Sequence, residues 1–135
     1  MTLPSLQRRI APLLTAACLL AHVAGTYHFI GSSNLIPRAE HPVRAIGNAD
    51  YSLEYYYATI GSRFLMQSGV PYGYDPRFLS GYVKTPLYNP SSIPFEVSLY
   101  LFQDFPPALV FNRTVFVLLA LTPFLLYAAA VNFGL

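Results

Sequence analysis

Charged side chains are scarce in this 135-residue chain. They make up 10% of the residues, against about 25% in an ordinary soluble domain. Hydrophobic residues reach 54%, and the mean hydropathy is +0.42. A soluble fold with so few charges would have difficulty covering its surface with polar groups. The composition therefore favours an integral membrane protein.

Two further scarcities exclude kinds of site. The single cysteine, Cys18, excludes an internal disulfide and a cysteine-based zinc site. The three histidines, at positions 22, 28 and 41, do not form a metal-ligand pattern. The net charge is only +2 and the basic residues are scattered, which is not typical of a nucleic-acid-binding protein. We therefore expect no nucleic-acid partner and no metal centre built from histidine or cysteine.

The chain has instead two long apolar segments. Residues 10–30 are 21 positions without a charge, close to the ~20 residues that span a bilayer core. Residues 108–135 form the second segment, which we expect to be cut short by the end of the chain. Arg8 and Arg9, in the short head 1–9, place the N-terminus in the cytoplasm by the positive-inside rule. The pattern predicts two transmembrane helices, with the lipid bilayer as the surrounding medium.

A cleaved signal peptide is an alternative interpretation of the first segment. Val23-Ala24-Gly25 is a tolerable cleavage site. The apolar core of a signal peptide is about 7–15 residues long, whereas the uncharged run here continues past that site. The length therefore favours a transmembrane helix.

The connecting segment, residues 31–107, holds nine of the twelve prolines and all six acidic residues. Apolar residues at three- and four-residue spacing predict an amphipathic helix over 50–68 that suits the membrane interface. A second short helix, Phe95–Phe105, is expected along the same surface. The prolines between 70 and 94 predict turns. Loops beyond ~60 residues translocate largely regardless of charge, so we expect an all-α membrane protein whose two transmembrane helices are joined by a long extracytoplasmic loop.

Two acids in the predicted loop helix lie four residues apart. Asp50 and Glu54 share one helix face. Two carboxylates so placed repel each other, so one could act as a general base, or the pair could hold a metal ion. In the structural interpretation, Asp50 caps the helix and Glu54 is a solvated first-turn acid.

The order of motifs along the loop resembles the opening of the GT-C membrane glycosyltransferases. Asp50 follows the first apolar segment, Arg-Phe-Leu-Met-Gln-Ser-Gly covers 63–69, and Lys-Thr-Pro-Leu-Tyr covers 84–88. The likeness is greatest to the protein mannosyltransferase and aminoarabinose transferase branch. The runs Gly-Tyr-Asp-Pro at 73–76 and Leu-Ser-Gly-Tyr at 79–82 resemble the uncharacterised bacterial relatives most closely. The resemblance covers residues 10–131, which correspond to the N-terminal part of such an enzyme, and implies a partial GT-C fold in the plasma (inner) membrane.

The resemblance implies sugar transfer from a polyprenyl-phosphate-linked donor to an unidentified acceptor outside the cytoplasm. Asp50 would be the base, although Glu54, counted back from Ser68-Gly69, fits the spacing of the family's acid about as well. Lys84, and after it Arg77, would offset the charge of the phosphate leaving group. Tyr55 and Tyr88 would bind the sugar or belong to an interfacial belt. Members of this superfamily differ in their need for a divalent metal, and no other cofactor is implied.

A different class of function fits the same two apolar segments. A small two-span membrane protein could act as a scaffold or partner-binding subunit without catalysis. Under that alternative, replacing Asp50 or Lys84 would leave the function unchanged. The enzyme interpretation requires further helices around the donor pocket, so we expect the 135-residue chain alone to be inactive.

Overall fold

The chain is mostly helical. The computed structural model describes residues 3–37, 42–47, 50–78, 81–85 and 90–134. The helices are α1 (Leu3–Ile30), α2 (Ser32–Leu35), α3 (Asp50–Ser68), α4 (Ile93–Leu101) and α5 (Pro107–Asn132). Two strands, β1 (Gly73–Asp75) and β2 (Tyr82–Lys84), form an antiparallel hairpin, and a 3₁₀ turn covers Pro90–Ser92. The residues group into two compact units, of which unit 1 contains residues 1–31 and 116–135 and unit 2 contains residues 32–115.

Two helices are long and apolar enough to cross a membrane by length and composition. Within α1, the stretch Pro12–Ile30 has 19 residues and a mean hydropathy of 1.5. All 26 residues of α5 qualify, with a mean hydropathy of 2.2. At about 1.5 Å per residue, each of these stretches approaches or exceeds the ~30 Å of a bilayer core. The helices are longer than the two predicted segments at their N-terminal ends, because Pro4 and Pro107 lie in first turns, where proline costs a helix little.

Unit 1 contains a hydrogen bond between α1 and α5 that the sequence alone does not predict. Pro123 lies inside α5 and has no N–H group, so the carbonyl of Leu119, four residues earlier, lacks its usual helical donor. The Nε2 atom of His22 on α1 lies 2.8 Å from this carbonyl oxygen. Nε2 therefore carries the proton and donates, because a carbonyl oxygen can only accept. Proline in an apolar helix is tolerated when a neighbour satisfies the freed carbonyl in this way.

Unit 2 is centred on α3. The helix buries Tyr57, Ala58, Ile60 and Gly61 and packs mainly against α4. The helix has the bounds that the apolar spacing predicts. Tyr57 and Ile60 of its apolar face lie inside the unit, whereas Leu53 is exposed, and its placement at a membrane interface stays a prediction. A helix with an apolar stripe packs that stripe against a partner, and for α3 the partner is α4.

The hairpin is the main departure from the all-α expectation. Its register pairs Gly73 with Lys84, Tyr74 with Val83 and Asp75 with Tyr82. Three-residue strands are too short to show an alternating pattern, so this region reads as turns in the sequence. The charged Asp75 and Lys84 point inward and are buried, which reverses the usual polarity of a half-exposed hairpin.

The second loop helix is shifted from its predicted position. It was expected over Phe95–Phe105, whereas α4 covers Ile93–Leu101. Pro94 occupies the first turn, where its missing N–H costs nothing. At the other end, the N–H of Phe102 bonds to Ser98 O, and the N–H of Phe105 then bonds to Phe102 O. The chain turns there before the two prolines at 106 and 107.

Asn112 joins the beginning of α5 to the segment before α3. Its Oδ1 atom accepts a 3.0 Å hydrogen bond from the N–H of Ile46. Its Nδ2 atom donates to the carbonyls of Asn34 and Arg44, at 3.0 and 2.8 Å. The side chain is fully buried, so both of its amide hydrogens are used within the protein. This amide therefore links the backbone at Asn34, Arg44 and Ile46 to the beginning of α5.

The His22 bond predicts a specific coupling with Pro123. His22→Ala should destabilise the chain in micelles by about 0.6 kcal/mol, and by at most about 1.7 kcal/mol. Pro123→Ala restores an N–H to Leu119 O, so His22→Ala should cost little in that background. Denaturant unfolding of the four variants in a double-mutant cycle measures the coupling. His28→Ala, which removes the other histidine of the same helix, is the control, and equal costs of His22→Ala in both backgrounds would refute the bond.

Candidate functional site

A cleft in unit 2 has a volume of about 730 Å³. It is bounded by α3, the hairpin and the turn that leads into α5. The polar side chains that line it are Tyr56, Thr59, Ser62, Arg63, Asp75, Arg77, Gln103 and Asp104. Its apolar wall includes Met66, Leu99, Phe102, Phe105 and Val110. The lining thus combines two cations, two carboxylates and an apolar wall.

Asp75 organises the polar side of the cleft. Its Oδ2 atom accepts a 3.2 Å hydrogen bond from the Tyr56 hydroxyl and lies 3.4 Å from Nη2 of Arg63. Its Oδ1 atom accepts a 3.2 Å bond from the backbone N–H of Arg77. Burial acts to raise the pKa of the Asp75 carboxyl, but the hydrogen bonds from Arg77 and Tyr56 and the charges of Arg63 and Arg77 together lower this pKa below its usual value. Asp75 is therefore ionised at neutral pH and fixes its neighbours, which makes it a poor proton acceptor.

Tyr56 acts in this site as a donor. Burial, together with the hydrogen bond to Asp75 and the charge of that carboxylate, raises the pKa of Tyr56 to about 12. Its ring stacks on Phe78, with centroids 4.6 Å apart and planes at 30°. The hydroxyl stays protonated at any physiological pH, and the ring orientation is set by the stack.

Asp50 and Glu54 occupy a different place. Asp50 is the first residue of α3 and its side chain is exposed. Glu54 is half-buried one turn later, and its Oε1 atom accepts a 2.9 Å hydrogen bond from the Ser91 hydroxyl. Neither carboxylate is among the residues that line the cleft. Their role as general base stays a prediction, while Asp104 is an exposed acid that does line the cleft.

The two cations expected at a phosphate are in contrasting environments. Arg77 is exposed and lines the cleft. Lys84 is 5% exposed and its Nζ atom lies 2.7 Å from Oε1 of Glu96, which is itself fully buried. The same carboxylate accepts a hydrogen bond from the Ser92 hydroxyl. The geometry gives Lys84 a structural partner and leaves Arg77 as the cation that is open to a ligand.

Gly61 makes room for this ion pair. A Cβ atom at this position of α3 would collide with the carboxyl group of Glu96. The glycine therefore allows the carboxylate of α4 to lie directly against the backbone of α3. Oε2 of Glu96 has no hydrogen-bond partner among the described residues. Sequence reasoning gave no role to Glu96, because a lone glutamate in a short apolar helix does not reveal its partner.

Of the two tyrosines expected to bind the sugar, Tyr55 lies in the described part of the chain. The ring of Tyr55 packs edge-on against Phe111, with centroids 5.1 Å apart, and burial raises the pKa of the Tyr55 hydroxyl. Tyr55 therefore contributes to the packing between α3 and the beginning of α5. Tyr88 lies outside the described residues.

Metal binding gains no support from the arrangement of the described residues. Among the residues that the structure describes, no three histidine, cysteine, aspartate or glutamate side chains come together as a group that could hold a metal ion.

The buried ion pair predicts a large effect of removing its cation. Lys84→Met leaves a buried carboxylate uncompensated, and we expect a loss of about 3–5 kcal/mol in the free energy of unfolding. The double variant Lys84→Met/Glu96→Met should recover most of this loss, because no buried charge remains. Arg44→Ala, which removes an exposed cation, is the control and should stay within about 0.5 kcal/mol. Denaturant unfolding in micelles measures all three, and a Lys84→Met variant as stable as the control would contradict the pairing.

Asp75 predicts a pH dependence of stability. The pKa of its carboxyl is lower in the folded chain than the ordinary 3.8. Ionised Asp75 therefore stabilises the fold above pH 3.8, and the contribution is lost as the pH falls through the lower, folded-state pKa. The difference in unfolding temperature between the unmodified chain and Asp75→Asn should shrink between pH 6 and pH 3. A difference that stays constant over this range would count against the network around Asp75.

No protein-family model matches this chain, and no curated protein or solved structure matches it either.

Proposed function

We propose that this chain is the N-terminal part of a GT-C-type membrane glycosyltransferase. The enzyme transfers a sugar from a polyprenyl-phosphate-linked donor to an acceptor outside the cytoplasm. The observation that carries the proposal is the cleft of unit 2, whose lining combines Arg77 and Arg63 with apolar side chains that include Leu99 and Phe102. A donor with a phosphate head and an isoprenoid tail requires both kinds of surface. The order of the loop motifs supports the same assignment.

The membrane setting is part of the proposal. α1 and α5 cross the plasma (inner) membrane, with Arg8 and Arg9 on the cytoplasmic side. Residues 31–107 then lie outside the cytoplasm, where a lipid-linked donor presents its sugar. The arrangement is a partial GT-C fold, to which further helices would add the rest of the donor pocket.

The chemistry assigns separate tasks to cation and carboxylate. The bond from the anomeric carbon to the phosphate oxygen breaks, and a bond from the acceptor oxygen to the same carbon forms. The electron pair leaves with the phosphate, whose charge Arg77 offsets through a planar guanidinium that fits two phosphate oxygens. The proton of the acceptor hydroxyl passes to a carboxylate. Asp50 and Glu54 are the proposed acids from the sequence, and Asp104 joins them because it is exposed in the cleft.

Lys84 has a supporting task in this mechanism. Its ammonium group neutralises Glu96 in the interior of unit 2 and is not exposed at the cleft. The ion pair holds β2 against α4; Asp75 of β1, the strand paired with β2, and Leu99 of α4 line the cleft. Arg63 is likewise shared, because Asp75 already neutralises part of its charge.

Replacement of the cleft arginine tests the proposal. In membranes that contain the full-length protein, Arg77→Ala should reduce sugar transfer from polyprenyl-phosphate donors about 10²-fold or more, as expected for loss of one preorganised stabilising group. The measurement is release of polyprenyl phosphate from a panel of labelled hexosyl and pentosyl donors. Arg44→Ala, an exposed arginine outside the cleft, is the matched control and should retain activity.

The carboxylates are compared in the same assay. Asp50→Asn should abolish transfer, whereas activity that survives there and disappears in Glu54→Gln or Asp104→Asn would reassign the base. Absence of transfer from every donor in the unmodified full-length protein, with wild-type growth of cells carrying Arg77→Ala or Asp50→Asn, would reject the enzyme. The non-catalytic two-span scaffold would then be the better description.

A further inference from the structure

Helix α4 buries Phe95 and Leu99 together with its one acid, and it exposes apolar side chains where a helix that faces water would be polar. Its one charged residue, Glu96, is fully buried. Ile93, Val97 and Tyr100, at positions i, i+4 and i+7, lie on one face and are 41–43% exposed. A helix at an aqueous surface places its charges outward and its apolar stripe inward. We call Ile93, Val97, Tyr100 and the neighbouring Leu101 the outer stripe of α4.

The outer stripe continues toward the second candidate span. Leu101, Phe102 and Phe105 are 52–63% exposed. The chain then begins α5 at Pro107, six residues after Leu101. Because an extended chain covers at most about 3.6 Å per residue, the stripe is tethered within about 20 Å of the start of a helix that is apolar enough to cross a bilayer.

We propose that the outer stripe of α4, together with Phe102 and Phe105, is embedded in the surface of the phospholipid bilayer. The inference rests on the part of the proposed function in which α5 crosses that bilayer. Helix α4 contains no lysine or arginine, so its attachment is apolar and does not require anionic lipid. Tyr100 is suited to this position, because its ring is apolar and its hydroxyl reaches the headgroups.

The embedded surface also determines how the cleft is reached. Phe102 and Phe105 belong to this surface and line the cleft as well. The cleft therefore opens beside lipid, and the tail of an amphiphilic ligand reaches it from the bilayer without passing through water. Arg77 lines the same cleft and would then bind the anionic head of the ligand.

Tryptophan fluorescence tests the proposal directly, because the chain contains no tryptophan. The whole chain with Val97→Trp is placed in phosphatidylcholine nanodiscs, and its emission is measured with doxyl-labelled lipid and, separately, with aqueous iodide. Tyr100→Trp is a second probe of the stripe that preserves an aromatic ring. Gln67→Trp, at an exposed position of α3 outside the cleft, is the matched control.

We expect the doxyl lipid to quench both stripe variants about two-fold more than the Gln67→Trp control, and iodide to quench them less. Stripe variants that iodide quenches as strongly as the control would overturn the proposal, because the stripe would face water. Protection from both quenchers would also overturn it, since protein would cover the stripe. Carbonate extraction of the same samples separates the two levels: loss of the protein from the membrane refutes the spans as well, whereas retention without lipid quenching refutes the outer stripe alone.

Discussion

The ion pair between Lys84 and Glu96 is the contact on which unit 2 depends. The two charges, 2.7 Å apart and almost wholly removed from solvent, join β2 to α4 while the carboxylate lies against Gly61 of α3. Burial of two charges is costly unless each compensates the other. The pair therefore favours one arrangement of three elements, because separating them would leave a charge buried alone. It also requires a glycine in the middle of a helix, where alanine would otherwise be favoured by up to about 1 kcal/mol.

The sequence predicts the elements that long patterns specify. Runs without charge identify the apolar parts of α1 and α5, and three- and four-residue spacing identifies α3 together with its stop at Gly69. The hairpin was missed because three residues per strand are too few to show a period, and because Asp75 beside Pro76 is also typical of a turn. The partners of Glu96 and Asn112 were equally hidden, since each depends on contacts between segments far apart in the chain. Local sequence patterns predict secondary structure, whereas a buried polar contact forms only when distant segments meet in the folded unit.

Of the candidate site, the sequence identified Arg77 and overlooked the residues that hold it in place. Asp75 appeared only as part of a turn motif, yet it binds the backbone of Arg77, the hydroxyl of Tyr56 and the side chain of Arg63. A motif that contains a lysine invites the assumption that the lysine binds the anion. Lys84 is buried and already neutralised by Glu96, so it attracts a phosphate only weakly. The guanidinium of Arg77 is exposed and retains its attraction for a phosphate.

Two polar contacts of this apolar protein satisfy groups that would otherwise lack a partner. Pro123 removes one donor from α5, and a histidine of α1 supplies a replacement. The carboxylate of Glu96 is buried in unit 2, where Lys84 forms an ion pair with it and the Ser92 hydroxyl donates a hydrogen bond to it. Helix α4 buries its single charge, and between its outer stripe and the start of α5 the exposed Phe102 and Phe105 flank Gln103 and Asp104. In water, this orientation of α4 leaves the side chains of Ile93, Val97 and Leu101 exposed to solvent. At a lipid surface, the same side chains are removed from water and the internal ion pair is unchanged. The burial of charge and the exposure of apolar side chains are thus two consequences of one orientation of α4.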